Sequence, residues 1–287
     1  MIELDNDTLR QLQRIELEIL IEIDRICRKN KIYYSLTGGT LLGAVRCGGF
    51  IPWDDDADIS MMRSEYIKFQ KACKTDLDSD RFYFQDIDST KGYRWGYGKV
   101  RRKNTVFLRE HQEHMPYEQG VFVDIFPRDG VPDGYVAGKM HTFACFTMRK
   151  IMWSSIGKNV AVNKWERAVY SFLARIPEDV MKKAYEKLVK LSNYKKNSEL
   201  VRALTFPLPN EQKGYRRSWY KKYTQVKFEN RKFMVQASYK EWLESEFGNY
   251  MQLPPVEQRK IHPVSQLKLV DLEELGENEY CIIDGSR

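Results

Sequence analysis

Positions 54 to 58, in the stretch GGFIPWDDDADIS, hold four aspartates: Asp54, Asp55, Asp56 and Asp58. An apolar run follows directly. Side chains alternate faces along an extended chain, so Asp54, Asp56 and Asp58 share one side while Asp55, Ala57 and Ile59 take the other. Carboxylates two residues apart on one face repel each other unless a cation lies between them. An oxygen-only ligand set suits Mg2+ or Mn2+. Taken alone, the run also reads as a solvated acidic turn, and Asp55 as a turn or surface residue. A second acid, Asp124, sits inside the apolar stretch VFVDIFP. Its desolvation would cost about several kcal/mol without a partner. Either a metal shared with Asp56 and Asp58 or an arginine would remove that penalty. Upstream, TGGTLLGAV carries a glycine turn at Gly38 and Gly39 and a helix opening near Thr40. Small residues there let backbone N–H groups approach a phosphate at a helix N-terminus.

These residues need elements to hold them. Leu9, Leu12, Ile15, Ile19, Ile23 and Ile26 recur at helical spacing, which predicts a long amphipathic helix over about 7–29 with Asp7 as its N-cap. A short strand over Ile32 to Leu36 should lead into the glycine turn, ADISMM should be a second strand, and Ser64 should open another helix. RFYFQDID and WGYGKVRRKNTVFL read as strands, and GVFVDIFPRDG as a strand bounded by Gly120 and Pro127. Residues 136–210 are helical in pattern, and 211–287 return to aromatic-rich strands and turns. The chain is therefore expected to be α+β with α/β-like alternation: a catalytic core at 1–135, a helical insertion at 136–210, and a C-terminal segment at 211–287 packing back on the core.

Composition narrows the function classes. At 42% hydrophobic residues and 13% aromatics, the chain of 287 residues is expected to fold. Its net charge of +7 favours an anionic partner. No basic block or recognition motif marks that partner as nucleic acid. The five cysteines are scattered without zinc-ligand spacing and read as reduced thiols of a cytoplasmic protein. The N-terminus lacks the pattern of a signal peptide, and no stretch reaches the roughly 20 apolar residues of a membrane span.

A glycine turn opening a helix, an Asp-x-Asp strand and a third acid on a later strand is the layout of a nucleotidyltransferase-like core, in which metals clamp a phosphoanhydride. More specifically, GGTLLGAVRCGGFIPWDDDADI resembles the signature of the LicD family. These bacterial phosphocholine transferases are related to fukutin-type transferases and share the nucleotidyltransferase fold. YGKVRRKNT, GVFVDIFPRDG and FGNYMQLPPVEQRKIHP resemble further blocks of that family. The resemblance implies a mixed-sheet core with flanking helices. It also implies transfer of phosphocholine or a similar phospho-alcohol from a CDP-activated donor, CDP-choline first, to a sugar hydroxyl of a glycan or lipid-linked glycan acceptor in teichoic acid, lipopolysaccharide or capsule. In that frame Asp56, Asp58 and Asp124 are catalytic and hold Mg2+ or Mn2+, with Asp124 as a candidate base. Asp54 with Asp56 is an alternative metal pair. Gly38, Gly39 and Thr40 would cradle donor phosphates.

Arg46, Lys99 and Arg101 are further candidates for the diphosphate, and Lys99 and Arg101 share a strand face. Trp53, Tyr93, Trp95 and Tyr97 are candidates for an aromatic box around a quaternary ammonium, with core packing as the alternative. His262 is a candidate for donor contact. The segment HTFACFTMRKIMWSSIGK combines aromatic and basic residues and suits a peripheral contact with the inner face of the cell membrane, or a buried helix with basic flanks. Two competing functions stay open: transfer of a nucleotide monophosphate onto a sugar or small molecule, and a catalytically silent binding module.

Overall fold

The computed structural model describes residues 2, 4–208, 213–259 and 261–270. The long first helix, α1 (Asn6–Lys29), buries Leu9, Leu12, Ile15, Ile19, Ile23 and Ile26 along one stripe. Its N-cap is Asp5, whose carboxylate accepts the Thr8 N–H at 2.8 Å, and not Asp7, which lies inside the first turn. Next come β1 (Ser35–Leu36), shorter than the expected 32–36 strand, and α2 (Gly38–Arg46), which starts at the glycines themselves. β2 (Ala57–Met62) leads directly into α3 (Arg63–Asp76), followed by β3 (Phe82–Gln85), β4 (Gly98–Arg102) and β5 (Val106–Arg109). β6 (Phe122–Val131) is buried at every position.

The strand passes through Pro127 instead of ending there. β4 pairs with it only up to Ile125 and the next partner joins at Asp129, so one flank at the proline carries no ladder for the missing N–H to break. Each buried charge on β6 has a partner. Asp124 meets Lys99, Arg128 donates to the Thr37 hydroxyl at 3.1 Å, and Asp129 receives a two-pronged Arg63 at 2.7 and 2.6 Å.

Three helices follow, α4 (Tyr135–Val160), α5 (Lys164–Leu173) and α6 (Glu178–Ser192), and α4 and α6 bury a small cluster of their own around Cys145, Met148, Met152, Met181 and Tyr185. β7 (Leu200–Arg202) returns to pair with β6, and β8 (Tyr215–Arg216) pairs with β7. The hairpin β9 (Tyr223–Phe228) and β10 (Arg231–Gln236), α7 (Tyr239–Phe247), and β11 (Val264–Lys268), which pairs with β5, complete the described elements. The main sheet runs β1-β2-β6-β4-β3. Only β2 and β6 are parallel among its described pairs. The fold is α+β around a mixed sheet. Side chains of α1, β2, β6, the β9–β10 hairpin and α7 share the main core.

Candidate active site

The sheet register sets the centre of the site. Asp58 lies beside Asp124 in the parallel pair, and Asp124 lies opposite Lys99 in the antiparallel one. Three adjacent strands thus carry acid, acid and base at one level. The Lys99 ammonium contacts the Asp124 carboxylate directly, so the partner of that buried acid is a lysine. Burial pulls the Lys99 pKa down to about 7, with Asp124 opposing the shift and Arg101 and Arg109 reinforcing it.

The remaining aspartates precede β2, directly after a turn in which the Asp54 N–H donates to the Ile51 carbonyl at 2.9 Å. Asp56 accepts from Arg109 at 2.8 Å. Asp55 is fully buried, contrary to the expected surface position: its carboxylate accepts the backbone N–H of His262 at 3.1 Å and faces the ring Nδ1 at 2.9 Å. A buried carboxylate is stable there because two donors from a distant segment satisfy it. Asp54 and Asp58 form no ion pair among the described residues. Burial raises both their pKa values well above the ordinary range, and the neighbouring carboxylates add to the shift. Glu16, buried beneath them on α1, is pushed up for the same reasons.

The glycines at the start of α2 make room for this cluster. Gly38 sits at φ +58°, and a Cβ there would lie 2.9 Å from Asp58 Oδ2. On Gly39 it would lie 2.4 Å from Asp54 Oδ2. Both carboxylates therefore approach the positive end of a helix closely. Thr40 helps to fix the strand, since its hydroxyl accepts the Asp58 N–H at 2.7 Å.

Beside the acids opens a cavity of about 570 Å3, lined among others by Trp95, Tyr97, Lys99, Arg101, Arg109 and His262. Lys99, Arg101 and Arg109 gather around the Phe122 ring, at 3.3, 5.0 and 5.1 Å from its centre. Among the described residues Arg101 donates to neutral acceptors, Gln85 Oε1 at 2.7 Å and the Gly120 carbonyl at 2.6 Å. Arg109 Nε is buried without a hydrogen-bond partner among the described residues, although the guanidinium pairs with Asp56. The Arg101 charge and the Arg109 Nε–H are thus left over for an anion. The opposite wall comes from the helical insertion, where Trp153 packs on Trp95 at 5.8 Å and Arg149 and Lys150 reach the lining.

Of the residues singled out in the sequence, the structure brings Asp54, Asp56, Asp58, Asp124, Lys99, Arg101, Trp95 and His262 to the acid cluster or the cavity beside it. Gly38, Gly39 and Thr40 border the acids. Arg46 instead donates to the backbone carbonyls of Tyr250 and Gln252 at 3.3 and 3.5 Å. Trp53 lies under the Arg259 guanidinium at 4.5 Å, away from Trp95 and the cavity lining. Tyr93 is fully buried against Tyr117. Sequence reasoning missed Arg109 and Glu16, and it placed Arg149 and Trp153 only in a segment suited to membrane contact, whereas they line the cavity. For Arg109 a signal existed: it alternates with Phe107 on one strand face.

Metal fit can be judged from the donors. Among the described residues no three His, Cys, Asp or Glu side chains already converge as a ligand set. Even so, several carboxylates crowd together, Asp54 and Asp58 pair with no cation among the described residues, and the donors are all oxygen, which is an environment a hard divalent ion would relieve. The residues fit such an ion.

A mixed sheet with acids on adjacent strands beside a helix N-terminus is the arrangement of a nucleotidyltransferase domain. Residues 31–146, which contain that arrangement, match the family described as LicD/FKTN/FKRP, nucleotidyltransferase domain. The chain belongs to the LicD family. It is 31% identical over 266 residues to the lipopolysaccharide cholinephosphotransferase LicD of Haemophilus influenzae, covering 90% of this chain and 97% of that protein. An uncharacterized protein of Rickettsia prowazekii is 26% identical over 139 residues, 48% of this chain and 47% of its own length. Another, from Rickettsia typhi, is 44% identical over 54 residues, 19% and 18% of the two chains.

Proposed function

We propose that this protein transfers phosphocholine, or a closely similar phospho-alcohol, from a CDP-activated donor to a sugar hydroxyl of a cell-surface glycan precursor such as lipopolysaccharide or teichoic acid, from the cytoplasmic side. The observation that carries the reading is the side-by-side placement of Asp58 and Asp124 next to a cavity lined by both cations and aromatic rings. Similarity to the Haemophilus cholinephosphotransferase along nearly the whole chain supports it.

In this reaction the acceptor oxygen attacks the phosphorus that bears choline, the bond from that phosphorus to the bridging oxygen breaks, and CMP leaves. The acceptor proton passes to a carboxylate of the cluster, a role assigned to Asp124. Lys99, Arg101 and Arg109 neutralise the diphosphate, and Trp95, Tyr97 and Trp153 offer ring faces to the trimethylammonium group. Asp56, Asp58 and Asp124 would hold Mg2+ or Mn2+, which when bound supplies charge neutralisation at the phosphates. Asp124 and Asp56 would then exchange Lys99 and Arg109 for the metal, freeing both cations for the donor.

The test is incubation of the purified protein with CDP-choline, Mn2+ and a lipopolysaccharide or teichoic-acid precursor, followed by mass spectrometry. Release of CMP with a mass gain of one phosphocholine on the glycan supports the proposal. Pyrophosphate release from a nucleoside triphosphate would favour nucleotidyl transfer, and no turnover with any donor would favour a silent binding module.

A further inference from the structure

The helical insertion carries an apolar surface that the other described residues leave uncovered. α4 spans 26 residues without an Asp or Glu, while holding Lys139, Arg149, Lys150 and Lys158. At 100° per residue, Tyr135, Lys139, Phe143 and Phe146 fall on one side of α4, together with Lys150 and Gly157 further along. α5 packs over that second half: the Tyr170 ring lies against Gly157, and its hydroxyl accepts from Lys150 at 2.6 Å. The first half is bare, with Phe143 70% exposed. α5 in turn directs Trp165, Val169 and Phe172 away from Tyr170, and Trp165 is 82% and Phe172 69% exposed. The bare stripe of α4 and the outer face of α5 therefore look out on the same side.

Cations are threaded through this surface. Lys139 and Lys213 lie over the Tyr135 ring at 4.3 and 5.7 Å, and Arg149 lies over Phe146 at 5.5 Å. The nearby acids are already engaged: Glu166 pairs with Lys150 at 3.6 Å, and Asp133 accepts the Glu199 N–H at 3.1 Å. No described helix is long and apolar enough to cross a membrane. An exposed apolar ridge fringed by lysine and arginine, with Glu166 as the one acid of α4 and α5, is complementary to an anionic lipid surface, with rings inserted at the headgroup level and cations at the phosphates.

We infer that α4 and α5 form a docking face for an anionic bilayer, on which the protein rests with Phe143, Trp165 and Phe172 at the lipid boundary. The helices that dock also carry Arg149, Lys150, Trp153 and Tyr170, which line the cavity. Docking thus sets the cavity wall against the membrane surface, where a lipid-linked acceptor would be presented. The binding itself goes beyond the proposed transferase reaction and does not require it.

The test is co-sedimentation of the full-length protein with vesicles of phosphatidylcholine alone or mixed with phosphatidylglycerol, with no donor present. Wild type should pellet with the anionic vesicles at least tenfold more than with the neutral ones, and the difference should shrink with added salt. The triple variant Phe143→Ser/Trp165→Ser/Phe172→Ser should lose at least tenfold in binding while keeping its circular dichroism, melting temperature and activity on a water-soluble acceptor. Equal pelleting of wild type and variant, or no preference for anionic vesicles, would overturn the inference. So would a wild-type dimer in sedimentation velocity that the variant dissolves, because the face would then belong to a second copy of the chain. An inactive protein that still pellets would instead count against the transferase reading alone.

Discussion

Lys99 and Asp124 face each other across the antiparallel pair of β4 and β6 and form an ion pair that is almost wholly buried. Removing one partner leaves the other charge stranded, at a cost of about 3–5 kcal/mol. Lys99→Met should therefore lower stability in urea unfolding by that order. Lys99→Met/Asp124→Leu, which removes both charges, should recover most of the loss yet stay inactive. A double variant as unstable as the single one would show that the pair is not what the strand requires.

Asp58 is held in a state that suits ligand binding more than folding. Its carboxylate is desolvated, crowded by Asp56, Asp124 and Asp54, and without an ion pair among the described residues. Asp58→Asn should raise the melting temperature of the metal-free protein, since it removes repulsion without changing shape. In wild type, Mn2+ should raise the melting temperature as a ligand of the native state does. In Asp58→Asn that shift should vanish or require at least roughly tenfold more metal, a 1.4 kcal/mol effect. An unchanged metal response would move the metal site away from Asp58.

Two glycines of α2 should respond differently to the same methyl group. At Gly39 an added Cβ meets the tip of the Asp54 side chain, which can rotate away. At Gly43 it would lie 2.4 Å from the Gly49 carbonyl oxygen, which belongs to the backbone. Gly39→Ala should thus cost under about 1 kcal/mol in stability, partly offset by better helix propensity, while reducing activity through a displaced Asp54. Gly43→Ala should cost about 1–3 kcal/mol, as overpacking does. Thermal melts of the two variants check the ordering.

The parts of the site that sequence alone could reach were those written locally. The Asp-x-Asp step into ADISMM, the glycine helix start, the lone acid in VFVDIFP and the shared face of Lys99 and Arg101 all follow from alternation or turn chemistry within a few residues. What escaped was long-range pairing. Asp55 is buried because a segment 207 positions away bends back to offer it His262, and no local pattern encodes that. Trp53 and Trp95 are both exposed-looking aromatics in sequence, but one meets Arg259 and the other Trp153. The extension of β6 through Pro127 likewise depended on where its neighbours happen to stop.

The cavity's aromatic wall predicts how the donor is recognised. Trp95 packs between Trp153 and Tyr97, at 5.8 and 6.2 Å, and its indole N–H points to the Tyr117 hydroxyl at 3.3 Å. Trp95→Leu keeps an apolar side chain, though a smaller one, but removes the ring face, at a cost of about 1–2 kcal/mol of cation–π attraction. KM for CDP-choline should rise about tenfold with kcat little changed, whereas a CDP-alcohol without positive charge should be almost insensitive. Equal effects on both donors would assign Trp95 to packing.

His141, far from the cluster, gives the clearest pH signature. Its Nε2 lies 2.9 Å from the Ser192 hydroxyl, which already donates to the Leu188 carbonyl at 2.7 Å. The ring must therefore donate through Nε2 and keep Nδ1 as an acceptor, with the Cys145 thiol 3.8 Å away. Burial, reinforced by Arg202 and opposed by Asp129, lowers the His141 pKa to about 4. Above the unfolded value near 6.5 this histidine makes stability independent of pH. As pH falls from about 6.5 to about 4 the unfolded chain takes up a proton that the folded one refuses, so stability should fall by about 2–3 kcal/mol. His141→Gln, which can still donate to Ser192, should flatten that part of the profile in urea titrations between pH 4 and 7. A slope unchanged by the substitution would assign the acid sensitivity to other groups.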